Sequence, residues 1–330
     1  MGTSFSTVPC YSQDDVERLL DLDECIAAVR DAMAGLTEDG FEQPLRSGVK
    51  LAPGQGFALM PGVGHGELGF GAKIISVFAD PARPGRSAHH GVVVVFDRSS
   101  GHVCCLADAS AITAIRTGCA SAVATAALAR EDARVLTIFG TGVQARSHAL
   151  AVSRVRKFEL LVLWGRDRDR AEALKTELAA RLHLEIETAR DGQAAAARAD
   201  VICTVTGAST PILCRDWVRP GTHINVVGSS SLGPAEVDGA LVRDSRFVAD
   251  YRRSVLAAAA EFAAARQAGF VTDEHIVAEI GEVLLGLVAG RRSADEITLY
   301  KSLGHVVQDL AATACVHRAA ISRARRPVSQ

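Results

Sequence analysis

The apolar positions of this chain change their period along its length. Between residues 13 and 37, Val16, Leu19, Leu20, Ile26 and Val29 recur at helical spacing, with Asp14 or Asp15 placed to cap the helix. Across 46–106 the pattern shortens to strand-length runs. GFALMP, GAKIISVF and GVVVVFD are rich in β-formers and are separated by Gly, Pro and Asp. A long helix of small residues is then expected from about Ser110 to Arg130. Beyond it, strand and helix alternate. VLTIFG reads as a buried strand, followed by a Gly turn and a helix through Val152. LLVLWG leads into a charged helix from about Asp167 to Leu182. LEIE and VICTV flank the helix GQAAAARA, and HINVVG and RFVAD come later. After about residue 252 the pattern is helical, and a last helix, about Ser302–Arg323, is expected to return to the first region.

This alternation predicts an α/β fold, a Rossmann-type doubly wound parallel sheet with helices on both faces. The expected division is a nucleotide-type domain over 131–300 and a second, α+β domain made from 1–130 with 301–330. A length of 330 residues agrees with two domains, and an apolar fraction of 48% is enough for sizeable cores. The net charge of -2 and an aromatic fraction of 5% offer neither a field nor stacking platforms for nucleic acid. No basic-then-apolar leader is visible, and no apolar run is expected to reach the ~18 residues of a membrane span. The eight cysteines form no C-x-x-C pair and lie at no zinc spacing with histidine. They read as small buried thiols in a reducing cytoplasm, with no metal expected.

The chemistry concentrates first in Gly140-Thr141-Gly142-Val143-Gln144-Ala145. This is a G-x-G-x-x-A turn that follows a strand and opens a helix, the context that makes it a dinucleotide signal. Gly140 permits the tight turn and Gly142 the approach of backbone to a pyrophosphate, while Ala145 lets the helix lie against the strand. The pyrophosphate would then meet free N–H groups at the helix start. FAD and S-adenosylmethionine sites use related turns, but the internal position favours NAD or NADP. About twenty residues on, Arg166 and Asp167 send opposite signals: Asp167 suits the ribose hydroxyls of NAD, Arg166 the extra phosphate of NADP. Asp167 tips the expectation slightly toward NAD.

A second set lies in the first domain. Lys73 sits inside the apolar run FGAKIISVF, where a lysine is costly to bury unless it meets an anion. Arg116 occupies an apolar helix turn, and Arg46 follows QPL. Each alone reads as a surface charge; together they point to an acidic substrate. His89 and His90 precede a strand, and His223 and Asn225 alternate along one, where they would face the ligand edge of the sheet.

With these segments in order, from FALMP and GAKIISVF through ADASAITAIRTGCASAVATAALA and FGTGVQARSHALA to PGTHINVVGS, AEIGEVLLGLVAGR and ITLYKSLGHVVQDLAA, the chain resembles the ornithine cyclodeaminase/mu-crystallin family over about 46–316. The resemblance implies a homodimer with a substrate-binding and dimerisation domain built from both chain ends. It also implies NAD(P)-linked chemistry at the α-carbon of a small amino or imino acid. Arg46 and Lys73 then become catalytic candidates. Arg46, Lys73, Arg116 and Ser230 become substrate-binding candidates. On the cofactor the resemblance places Arg116 and Thr117, the turn residues Gly140 to Gln144, then Arg166 and Asp167, then Thr204 and Val227, and finally Lys301, Ser302 and Gly304. Two departures count. Ser230 stands where the ornithine cyclodeaminases carry an acid/base Asp, and Ala88 stands for a substrate-contacting Thr. A serine is a poor proton acceptor without a base beside it. The leading expectation is therefore an NAD(P)H-dependent reductase of cyclic ketimine carboxylates, or an amino-acid dehydrogenase. A cyclodeaminase with catalytic NAD and a non-catalytic NADPH/carboxylate binder are the alternatives.

Overall fold

A computed structural model describes residues 8–41, 43–78 and 89–325 of the protein. Ala88 lies outside the described residues, and of His89 only the backbone is described. Strand β1 (Cys10–Tyr11) precedes α1 (Gln13–Leu19). The cap of α1 is Ser12 rather than Asp14 or Asp15: its hydroxyl accepts the Asp15 N–H, and the Asp15 carboxylate accepts the N–H of Ser12. The single helix expected over 13–37 is two, because Asp21 starts α2 (Leu22–Asp39) by accepting from the N–H groups of Asp23 and Glu24. Five antiparallel-paired strands follow: β2 (Ser47–Ala52), β3 (Gln55–Val63), β4 (Phe70–Phe78), β5 (His89–Phe96) and β6 (Val103–Asp108).

Helix α3 (Ala109–Leu128) leads to β7 (Val135–Phe139), α4 (Val143–Val152), β8 (Leu160–Trp164), α5 (Arg168–Ala179), β9 (Glu185–Ala189), α6 (Gly192–Arg198) and β10 (Val201–Thr204). Then come β11 (His223–Val226), α7 (Gly239–Asp244), β12 (Arg246–Ala249), α8 (Arg252–Ala258), α9 (Ala260–Gln267), β13 (Ile276–Glu279), α10 (Ile280–Leu284), β14 (Thr298–Lys301) and α11 (Val306–Ala324). The expectation that the chain is only helical after 252 is corrected by β13 and β14. Each is four residues long, too short to show a period, and both are held by parallel neighbours.

The chain forms two compact units, one ending at Arg116 and resuming at His305, the other Thr117–Gly304. These limits differ from the expected 130/131 and 300/301. The later part of α3 packs within the second unit, where Ser121 Oγ meets His148 Nε2 at 2.9 Å and Asn225 donates to Thr125 at 3.0 Å. Leu303 and Gly304 remain there because both N–H groups donate to Asp250. Helix α3 also overturns the expected absence of a membrane-length apolar run. It is long and apolar enough by composition, but 72% of the qualifying window is buried in the protein.

The first unit has one six-stranded sheet in the order β1-β6-β5-β4-β3-β2, antiparallel except for β1 on β6. Alternation sorts its faces. Met60, Lys73, Ile75, Val93 and Val95 are buried, and α11 lies over β3, β4 and β5. Phe57, Phe70, Phe78 and Val92 occupy the other face and are exposed. The second unit is a fully parallel sheet in the order β13-β12-β14-β11-β10-β7-β8-β9. Strand order reverses between β7 and β10, so a crevice opens at the carboxyl ends of those strands, where open α/β sheets take ligands.

Candidate active site

The crevice of the second unit is a cleft of about 490 Å³. Gly140, Thr141 and Gly142 line it from the end of β7, Trp164, Gly165, Arg166, Asp167 and Arg170 from the end of β8 and start of α5, and Val205 to Ala208 from the end of β10. Gly140 has φ +135°, and a Cβ there would stand 3.0 Å from both Val205 Cγ2 and Val205 O, so only glycine makes this turn. A Cβ on Gly142 would meet nothing within 4 Å, so the backbone there borders open space. Gly142 is also the N-cap of α4 and offers no side-chain cap, which leaves the helix's first N–H groups without a side-chain partner from the cap. An uncapped helix start beside a side-chain-free hollow fits a pyrophosphate.

Buried carboxylates hold the loops around this cleft. Glu236 accepts from Thr204 Oγ1 (2.9 Å), Thr206 N (2.6 Å), Thr206 Oγ1 (2.8 Å) and Gly228 N (2.7 Å), tying the end of β10 to the end of β11. Burial raises its pKa, against the pull of these donors. The backbone N–H of Glu236 donates to Glu261, which pairs with Lys301 at 2.9 Å, and Lys301 also donates to Ser229 O at 2.8 Å. Thr204 and Lys301 thus spend their side-chain polar groups inside the protein. Ser302 Oγ, two per cent exposed as a residue, has no hydrogen-bond partner among the described residues. Val143 is exposed, Gln144 half-buried, and Val227 follows β11. Ser230 is exposed on the loop after β11. His223 and Asn225 do not face the crevice as expected. Both are fully buried, His223 bonded to Thr298 and Asn225, and burial pushes its pKa down to about 3, so the ring is neutral.

The first unit holds a second charged cluster. Lys73 on β4 and Arg116 on α3 are 2% and 3% exposed. Both meet Asp309 on α11: Lys73 Nζ lies 3.0 Å from Oδ1 and 2.9 Å from Oδ2, and Arg116 Nε lies 2.8 Å from Oδ1. Arg116 also donates to Gln308 Oε1 at 2.7 Å. Burial alone would raise the Asp309 pKa, but Arg116 and Lys73 hold it below its ordinary value. Burial pushes Lys73 down to about 8; Asp309 opposes that shift, while Arg116 and the exposed Arg46 add to it. Two buried cations therefore share one carboxylate, and Arg46 acts on Lys73. Beside them His305 caps α11 and is kept neutral by burial, with its pKa near 4. Thr117 follows Arg116 on α3 and is buried, and Gly304 ends the second unit.

Sequence reasoning gathered Gly140, Thr141, Gly142, Arg166 and Asp167 round one cleft and Lys73 with Arg116 round one anion. It missed Asp309, Gln308, Glu236 and Glu261. The argument used for Lys73, that a charge in an apolar run needs a partner, applies equally to Asp309 in VVQDLAA and to Glu261 in its alanine-rich run. Among the described residues no group of three or more His, Cys, Asp or Glu is placed to hold a metal ion.

Comparison with known proteins agrees with this geometry. The model of the ornithine cyclodeaminase/mu-crystallin family matches residues 9–324. Ketimine reductase mu-crystallin of Mus musculus is 34% identical over 281 residues, covering 85% of this chain and 86% of its own. Among solved structures, Thermococcus litoralis Δ1-pyrroline-2-carboxylate reductase in complex with NADH and L-proline superposes with a TM-score of 0.92 at 30% identity, over 96% of this chain and 98% of that one. An archaeal alanine dehydrogenase dimer with bound NAD gives a TM-score of 0.88 at 26% identity, over 97% and 98%.

Proposed function

The chain belongs to the ornithine cyclodeaminase/mu-crystallin family, and we propose that it is an NAD(P)H-dependent reductase of small cyclic α-imino acids, of the pyrroline-2-carboxylate class. The carrying observation is that, among the described residues, two buried cations, Lys73 and Arg116, share the single carboxylate of Asp309, an excess of positive charge that a substrate carboxylate would balance. A nicotinamide dinucleotide bound in the cleft of the second unit supplies hydride to the imine carbon. Arg46 pairs with the carboxylate, and Arg116 is held in place by Asp309 and Gln308. Lys73 carries the proton that goes to the imine nitrogen, so that imine, hydride and proton give the cyclic amine and balance. Thr117, Val143, Gln144, Val227 and Ser302 complete the cofactor's surroundings in this reading. Ser230 borders the substrate without acting as a base, since reduction asks for no carboxylate there.

Two further properties go with it. The exposed face bearing Val49, Phe57, Phe70, Phe78 and Val92 is too apolar for a lone sheet and suits a homodimer. Eight cysteines that form no disulfide with one another suit a reducing cytoplasm. The test is a spectrophotometric panel. Stoichiometric loss of NAD(P)H absorbance with pyrroline-2-carboxylate is expected. No turnover across cyclic and open-chain imino acids overturns the reading, and ammonia release from ornithine without net cofactor consumption replaces it with the lyase.

A further inference from the structure

We infer that the adenosine end of the cleft is built for a ribose 2′-phosphate, so that the protein takes NADP(H) in preference to NAD(H). This rests on reading the cleft as a dinucleotide site and concerns only its far end. A dinucleotide without the phosphate presents two ribose hydroxyls, which need an acceptor where β8 ends. That position is Gly165. A Cβ there would stand 2.6 Å from Thr141 Cγ2, so a larger residue needs the Thr141 side chain to move, and this chain carries no acid at the position. The nearest carboxylate, Asp167, is the N-cap of α5 and accepts the N–H of Arg170 at 3.1 Å. To reach a ribose hydroxyl with that oxygen it would have to release the cap.

The cations at the same rim are not engaged. Arg166 and Arg170 line the cleft, and among the described residues neither guanidinium has a hydrogen-bond or ion-pair partner. Several other exposed arginines of this unit do pair with carboxylates, Arg198 with Glu187, Arg243 with Asp244, Arg266 with Asp273 and Arg292 with Glu296, whereas Arg181 and Arg190, outside this cleft, have no such partner among the described residues. Two open guanidinium forks against one capped carboxylate leave the rim positive. A phosphate monoester, with its charge and three acceptor oxygens, is the ligand group that matches planar fork donors.

The test titrates the full-length protein with NADPH and NADH by calorimetry, then with 2′,5′-ADP and 5′-ADP as fragments lacking nicotinamide. NADPH is expected to bind about tenfold tighter or more, the equivalent of about 1.4 kcal/mol. The 2′,5′-ADP fragment should outbind 5′-ADP in the same sense. In Arg166→Ala and in Arg170→Ala the NADPH-to-NADH affinity ratio should fall toward one. NADH binding as tightly as NADPH overturns the inference and leaves the dinucleotide site standing. So does an Arg166→Ala variant that weakens both cofactors equally, because the arginine then only stacks on the adenine. Failure of both dinucleotides to bind overturns the reading of the cleft itself, and the inference with it.

Discussion

Each unit buries a lysine against a carboxylate at about 2.9 Å, and the two pairs do different work. Lys301 with Glu261 sits in a surplus of acid. Glu236 stands beside Glu261, and Asp250 also feels Lys301. The surplus is absorbed by backbone: Thr206 and Gly228 donate to Glu236, and Tyr251, Leu303 and Gly304 donate to Asp250. Lys73 with Asp309 sits, among the described residues, in a surplus of cation, since Arg116 shares the same carboxylate. Backbone N–H groups cannot quench a positive surplus, and an anion from outside can. The sign of the residual charge, rather than burial or distance, separates a cluster that fixes loops from one proposed to bind substrate and react.

Removing the lysines one at a time is the hardest test of that distinction. Lys73→Met takes away the proposed proton carrier while Asp309 keeps Arg116. We expect kcat/KM to fall on the order of 10²–10⁴-fold, with a smaller change in the denaturation midpoint and with dinucleotide affinity retained. An active Lys73→Met enzyme would remove the catalytic reading of this cluster. Lys301→Met should show the opposite pattern. It strands the Glu261 carboxylate in the core, which costs about 3–5 kcal/mol when one member of a buried pair is lost. Equilibrium denaturation followed at Trp164 or Trp217 reads it, with dinucleotide affinity falling as the loops at Thr206 and Gly228 loosen. If Lys301→Met is as stable as the parent, the second cluster is not the brace described here.

The contrast also explains what the chain discloses before it folds. Lys73 stands out in FGAKIISVF because eight of those nine residues are uncharged and mostly apolar, and Arg116 stands out likewise. Their shared partner lies 236 positions from Lys73 and 193 from Arg116, on α11, where Asp309 is flanked by residues that look like any helix core. Pairing across such a separation is a tertiary fact, and no local period encodes it. The dinucleotide turn is legible because strand, turn and helix are consecutive. The strands β13 and β14 are not, because four-residue parallel strands are specified by their neighbours in the sheet. The limit of the units inside α3 is hidden for the same reason: the helix is continuous in pattern, and only the partners of Ser121 and Thr125 show where its allegiance changes.

The gentlest test uses pH, where the first cluster should reveal itself by two opposite trends. Burial brings the Lys73 ammonium down to about 8. If protonated Lys73 delivers the proton, kcat/KM falls as pH rises through that value, by about fourfold between pH 7 and 8.5 for a single group. Stability moves the other way. Above 8 the folded protein has lost a proton that the unfolded chain keeps until near the ordinary lysine value of 10.5, so the unfolded state binds more protons and this group's contribution to stability rises with pH. Arg46→Ala sharpens the assignment. Arg46 is one of the cations that depress Lys73, so its removal should carry the alkaline limb to higher pH while KM for the imino acid rises with the loss of the carboxylate's partner. A limb that stays in place in Arg46→Ala and persists in the residual activity of Lys73→Met belongs to some other group, and the surplus of charge at Asp309 would then serve binding alone.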